Sequence, residues 1–224
     1  MFFLLLVISA ILFVLLITGR IWFVYPDRHL YPVRGIDVSH HQGAINWSRV
    51  SKDDVAFAYI KATEADDFKD EAFTRNWEGA QKNNVKRGAY HFYSPSYSGA
   101  VQAENFIATV PTTSEQLPPV IDLEDFGNNP SQEQFNTDLH DYIAIVSKQY
   151  GTQPILYTTY TFYERYLRTE FSGYPLWIRD IYANPNSKKI NAWTLWQYNP
   201  RGHVHGITGF VDLNVFNGKS LQGI

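Results

Sequence analysis

What most constrains the fold of this chain is a recurring unit, a short apolar stretch that closes on a polar or acidic residue. Eight such stretches occur, at 34–39, 56–62, 87–93, 120–124, 155–158, 176–180, 194–198 and 211–214. Runs this short and this apolar suit strands buried on both faces, as in a parallel sheet. Helical patterns lie between the early ones. Residues 72–83 carry Phe73, Trp77 and Ala80 at helical spacing, and 101–108 continue the theme. Residues 132–149 place Phe135, Leu139, Tyr142, Ile143 and Val146 on one face, and 160–168 form a further candidate. The alternation predicts an α/β fold, a modified TIM-like (β/α) barrel of eight strands. A standard barrel of this kind takes about 250 residues, and here about 190 must suffice. The gaps after Asp180 and after Tyr198 are rich in Pro, Asn and Gly and lack helical periodicity. Helices are therefore expected to be missing or reduced in the last third.

Ahead of the barrel stands a different kind of segment. Residues 2–18 carry no charge and are almost all Leu, Ile, Val and Phe; Gly19, Arg20 and the apolar 21–25 follow. Roughly 20 apolar residues in a helix cross a hydrocarbon core about 30 Å thick, and Trp22 and Tyr25 suit an interface. Residues 1–25 thus read as an N-terminal transmembrane helix, an anchor or else a signal segment. No Lys or Arg precedes the apolar run and no A-x-A site follows it, which favours retention. Residues 26–33, with Pro26 and Pro32, read as a linker, and 34–224 as the barrel domain.

In such barrels chemistry sits at the C-terminal ends of the strands. Those ends carry Asp37, Lys61, His91, Asp122 with Glu124, Tyr157, Asp180, Gln197 and Asp212. Asp122 and Glu124, two apart in a strand, point to one face. Two carboxylates there repel and are desolvated, so one stays protonated near neutral pH. Acid-catalysed glycoside cleavage needs that arrangement, a protonated carboxyl for the leaving oxygen and a carboxylate for the positive charge at the anomeric carbon. D-x-E is a common pattern, however, and a polar strand end capped by Asp125 explains it equally simply. Asp37 reads alternatively as a structural acid bonded to the turn before Gly43, and His91 as a satisfied interior histidine. Adjacent His40 and His41 are expected to point in different directions. With no H-x-x-x-H and no E-x-x-H, a metal has no support, and no cofactor is implied. A net charge of −3 without a basic run argues against nucleic acid, and the absence of Cys removes any disulfide framework or thiolate nucleophile.

Read together, Gly35-Ile-Asp-Val-Ser-His-His-Gln-Gly43, Tyr59-Ile-Lys-Ala-Thr-Glu64, Gly88-Ala-Tyr-His-Phe92, Asp122-Leu-Glu124, Trp196-Gln-Tyr198 and Asp212 resemble glycoside hydrolase family 25, the Chalaropsis-type lysozymes, which are N-acetylmuramidases. The resemblance covers about 34–217. It implies hydrolysis of the β-1,4 bond between N-acetylmuramic acid and N-acetylglucosamine, with Glu124 as proton donor. Asp122 matches its partner, which steadies the 2-acetamido group or the oxocarbenium ion. Asp37 and Asp212 match carboxylates on the cleft floor; Tyr59, Tyr90, Trp196 and Gln197 match positions lining the sugar subsite. To these the strand ends add Tyr157, facing either the cleft or the core, and Lys61, either a bridge between carboxylates of the floor or a structural residue. At Trp177-Ile178-Arg179-Asp180 the sequence departs from relatives that carry Ala and a Tyr-rich continuation, which bears on subsite detail.

The expected partners are peptidoglycan glycan strands and, through the N-terminal segment, the membrane, with the chain a monomer. Arg20 and Arg28 after the apolar run favour a cytoplasmic domain by the positive-inside rule, yet the implied substrate lies outside. The expectation is a membrane-anchored protein with its catalytic domain exported, periplasmic or extracellular, or else secreted. Three other readings stay open: a glycosidase for another N-acetylated glycan such as chitin, a non-catalytic peptidoglycan-binding module, and a membrane-tethered scaffold. The chitinase pattern wants a further Asp two residues before Asp122, where Val120 stands.

Overall fold

Period-two alternation of side chains organises the sheet. The computed structural model describes residues 2–124, 131–187, 190 and 193–221. Its strands are β1 (Arg34–Val38), β2 (Phe57–Glu64), β3 (Phe68–Lys69), β4 (Lys86–Phe92), β5 (Val120–Leu123), β6 (Ile155–Thr159), β7 (Leu176–Arg179), β8 (Leu195–Gly202) and β9 (Val211–Phe216). Hydrogen-bonded neighbours run β1-β9-β8-β7-β6-β5-β4-β2, and pairing of β1 with β2 closes these eight into a barrel. The two-residue β3 hangs on β2 outside the ring.

Inward positions alternate with outward ones on each strand. Phe57 and Tyr59 of β2, Val120 of β5, Tyr157 of β6 and Trp177 of β7 pack together inside the barrel. Their neighbours Ala58, Ile60, Ile121, Leu156 and Ile178 point outward into a second core beneath the helices. Those helices are α3 (Phe73–Lys82), α4 (Gly99–Thr109), α5 (Gln132–Tyr150) and the short α6 (Tyr160–Phe162), which continues as a π-helical turn, Tyr163–Leu167. Helix α5 shows why the sequence folds as it does. Ser131 caps it by accepting from the Gln134 amide, and Gly151 ends it at φ 69°. Between them Phe135, Leu139, Tyr142, Ile143 and Val146 are buried, each side chain contributing about 1.5–3 kcal/mol.

The last third departs from strand–helix alternation as expected. Between β7 and β8 the described residues hold only a 3-10 turn, Pro185–Ser187. Strand β9, however, is antiparallel to both β1 and β8, which corrects the all-parallel expectation. Residues 203–210 are too few for a parallel crossover, which takes roughly a dozen or more, so the chain turns back as a hairpin. Its first residues consequently lie level with the C-terminal ends of the other strands, and Asp212 pairs across from Asp37.

The transmembrane helix expected within residues 1–25 finds no support among the described residues. Helix α1 spans only Phe2–Ile17, 16 residues, or roughly 24 Å at 1.5 Å per residue against about 30 Å of hydrocarbon. Gly19, at φ 67°, turns the chain out of it. Among the described residues no helix is long and apolar enough to cross a membrane. Residues 26–33 pack on the barrel: Arg34 donates to the Pro26 carbonyl at 2.6 Å, and Tyr31 is buried against Trp193 and Trp196.

Gly88 shows how tightly the barrel interior is filled. It pairs with Tyr59 across β4 and β2, and a Cβ there would stand 2.2 Å from the Tyr59 ring. The ring is fully buried and cannot give way. Gly88→Ala is expected to destabilise the fold by about 2 kcal/mol or more, read as a lower urea midpoint at unchanged slope.

Candidate active site

The inward residues at the upper end of the barrel change from apolar to charged, and a cavity of about 510 Å³ opens there. Each strand of the ring contributes by the same alternation. Asp37 comes from β1, Lys61 from β2, Tyr90 and Phe92 from β4, Asp122 from β5 and Glu124 from the residue just past it. Tyr157, Trp177 with Arg179, Gln197 and Asp212 complete the wall from β6, β7, β8 and β9, and Ser39 and His41 edge it after β1. Four carboxylates thus converge on one space. Antiparallel β9 is what delivers the fourth.

A hydrogen-bonded chain fixes Asp37. Its Oδ2 accepts from Gln197 Nε2 at 3.1 Å and from Asn214 Nδ2 at 2.7 Å. Tyr157 donates its hydroxyl to Gln197 Oε1 at 2.9 Å, and the Trp177 indole donates to Asn214 Oδ1 at 3.0 Å. Burial pushes the Asp37 carboxyl up to about 6, with the two amide donors holding it below what burial alone would give. Asp122 lies well above the usual carboxylate range, through burial first and then the charges of Glu124 and Asp37, against a weaker pull from Lys61. Its Oδ1 is buried with no hydrogen-bond partner among the described residues, so that oxygen has no donor to offset the cost of ionising the group. Asp212 is pushed up to about 9 by burial and by Asp37, with Arg179 opposing. Burial and the same acids raise the Tyr90 and Tyr157 hydroxyls, which remain neutral donors.

These shifts fix a pH dependence of stability. A carboxyl whose folded pKa is raised stabilises the fold fully below its unfolded value near 4, and that stability is lost as pH rises through the folded pKa. For Asp212 the loss runs from about pH 4 to about 9. Asp212→Asn is therefore expected to raise the melting temperature at pH 8 by a few degrees, of the order of 1 kcal/mol, with the gain vanishing near pH 4. A gain independent of pH would contradict this account.

The structure separates the remaining sequence-predicted residues. Tyr90, Tyr157, Gln197 and Lys61 line the cavity. Lys61 does not bridge carboxylates of the floor, because its Nζ pairs with Glu64 Oε2 at 2.6 Å under the rings of Phe68 and Phe92. Tyr59 sits one layer deeper, in the apolar plug below the cavity. Trp196 is fully buried on the outer face, donating to the Asp180 carbonyl at 2.7 Å, away from the cavity. Asp180 lies past the end of β7, and its Oδ1 accepts from the Tyr182 and Ala183 amides. His91 faces the helices, between Thr63 Oγ1 at 2.8 Å and Gln102 Oε1 at 3.1 Å. His40 pairs with buried Asp70 at 2.7 Å, and its ring lies 4.0 Å from that of His41, so the two rings lie together instead of diverging. Asp125 lies outside the described residues. No group of three or more His, Cys, Asp or Glu among the described residues is placed to hold a metal ion.

Sequence reasoning missed Trp177, Arg179 and Asn214. Alternation held the signal for each: Arg179 is two residues from inward Trp177, and Asn214 two from inward Asp212.

Comparison with known proteins gives a consistent result. The model of the Glycosyl hydrolases family 25 matches residues 36–207. The protein YegX of Escherichia coli (strain K12) is 40% identical over 193 residues, covering 84% of this chain and 71% of YegX. Lysozyme M1 of Streptomyces globisporus is 36% identical over 208 residues, covering 85% and 69% respectively. The solved structure of a family 25 glycosyl hydrolase from Bacillus anthracis superposes with a TM-score of 0.83 at 38% identity, over 89% of this chain and 94% of that one.

Proposed function

The chain belongs to glycosyl hydrolase family 25 and is a glycoside hydrolase; from that premise we propose that it is a muramidase, cutting the β-1,4 bond between N-acetylmuramic acid and N-acetylglucosamine in peptidoglycan. The observation that carries this reading is the convergence of Asp37, Asp122, Glu124 and Asp212 on one cavity, with protons held there near neutral pH by burial. In such a cluster the protons belong to the group as a whole. Glu124, the half-buried member just past the end of β5, donates one to the leaving glycosidic oxygen and then activates water. Asp122, on the same face, steadies the positive charge at the anomeric carbon or orients the substrate's 2-acetamido group. Asp37, Asp212, Tyr90, Tyr157 and Gln197 shape the floor and walls around the sugar, and Lys61, paired with Glu64, lines the cavity from β2. Tyr59 and Trp196 support this wall from behind.

The reading takes the chain to act as a monomer. Peptidoglycan lies outside the cytoplasmic membrane, so the domain works after export, whether α1 is kept or removed. Lysozyme M1, by its name a lysozyme, supports the substrate class. The test is incubation of the native chain with purified peptidoglycan and, separately, chitin. Soluble saccharides from peptidoglycan alone are expected. Release from chitin alone would move the reading to the other glycan, and release from neither would leave a binding module.

A further inference from the structure

An acidic cavity is a poor place for an acidic sugar. Muramic acid differs from glucosamine by a lactyl ether on O3, which carries a carboxylate wherever the stem peptide has been removed. Asp37, Asp122, Glu124 and Asp212 all face that space, and an unpaired anion entering it meets repulsion from those that are ionised and raises the cost of ionising the rest. Of the described Lys and Arg side chains lining the cavity, Lys61 is already bound to Glu64. The other is Arg179.

Arg179 ends β7 and shares the inward face of Trp177. It is partly buried, and no hydrogen bond or ion pair engages it among the described residues. Its charge nevertheless reaches the cavity, since it lowers the pKa of both Asp37 and Asp212. In the ring β7 lies two strands from β5, which leads to Glu124, and two from β9, which carries Asp212, or roughly 10 Å each way at the usual strand spacing. A sugar ring that offers its glycosidic oxygen to Glu124 and its C2 acetamido group to Asp122 carries O3 on the next carbon. Its lactyl arm then falls within the span of a guanidinium based on β7. A guanidinium also offers the planar pair of N–H donors that a carboxylate accepts best.

We propose that Arg179 is a specificity-determining residue that receives the lactyl carboxylate of the muramoyl unit, so that the acidic cavity admits muramoyl glycan stripped of its stem peptide and not only the neutral glucosamine polymer. The proposal rests on the muramidase reading. It differs from a purely electrostatic role toward Asp37 and Asp212, which would act on every glycan alike.

The test uses the full chain carrying Glu124→Gln, so that glycan binds without turnover, alone and combined with Arg179→Gln or Arg179→Lys. Two probes of equal length are titrated calorimetrically, an alternating glucosamine–muramic acid tetrasaccharide with free lactyl carboxylates, and chitotetraose. Arg179→Gln is expected to weaken the muramoyl probe about 10- to 100-fold, as loss of charge-assisted hydrogen bonds does, and chitotetraose by less than about twofold. Arg179→Lys restores part of the difference, since it keeps the charge and loses the planar donors. Equal weakening of both probes, or unchanged binding of the muramoyl one, overturns the proposal. Hydrolysis of peptidoglycan by the native chain is measured alongside. If it proceeds while Arg179→Gln leaves muramoyl binding intact, the role of Arg179 alone fails; if it does not proceed, the muramidase reading fails first.

Discussion

Glu124→Gln is expected to lower kcat on peptidoglycan by about a thousandfold, within the range that general acid–base catalysis supplies, while leaving the melting curve almost unchanged. The amide keeps the shape of the side chain and removes only its proton chemistry. Glu124 stands past the last hydrogen-bonded residue of β5 and lines the cavity without being locked into the core. Substitution there should cost little packing, and loss of a like charge beside Asp122 relieves repulsion. If the variant retained a tenth or more of the native rate, proton donation would have to be assigned to another of the four carboxylates. A large drop in melting temperature would show that the loss of rate reports unfolding.

Asp122→Asn should have the second largest effect, with kcat falling about a hundredfold or more and KM changing little, because the negative charge that Asp122 takes on when its proton shifts within the cluster matters chiefly as positive charge develops in the transition state. The same substitution should stabilise the protein above neutral pH. Burial and the neighbouring Glu124 and Asp37 hold the Asp122 pKa well above the ordinary value. The native acid therefore stabilises the fold below about pH 4 and progressively less as pH rises; a neutral amide carries no such dependence. Opposite signs for activity and stability are the signature to look for. A variant that lost both would point to a structural Asp122 instead.

Much of this arrangement is legible in the sequence because period-two geometry is strict. Asp122 and Glu124, or Trp177 and Arg179, must share a face if their segments are strands. The same rule shows where the motif resemblance overreached. Trp196 and Gln197 are adjacent and cannot both face inward; Gln197 takes the cavity, and Trp196 goes to the outer core. Taking β7 to end at Asp180 instead of Arg179 shifts attention by one residue, and one residue reverses the face. Tyr59 has the right face and the wrong depth, which no single strand's pattern reveals, because depth depends on the stagger between strands. The direction of β9 was hidden, because strands expected at 194–198 and 211–214 leave twelve residues between them, enough for a parallel crossover; the extension of β8 to Gly202 shortens that gap to 203–210. The extent of α1 was hidden too, since the apolar character of 21–25 continues beyond the Gly19 turn that ends the helix.

The central claim is that this chain cuts on the reducing side of the muramoyl unit. The most direct measurement is digestion of purified peptidoglycan with the native chain, borohydride reduction, and mass spectrometry of the reduced ends. Ends derived from muramic acid, absent when the Glu124→Gln chain is used, are the predicted result. Ends derived from glucosamine would contradict it by placing the cut at the other glycosidic bond.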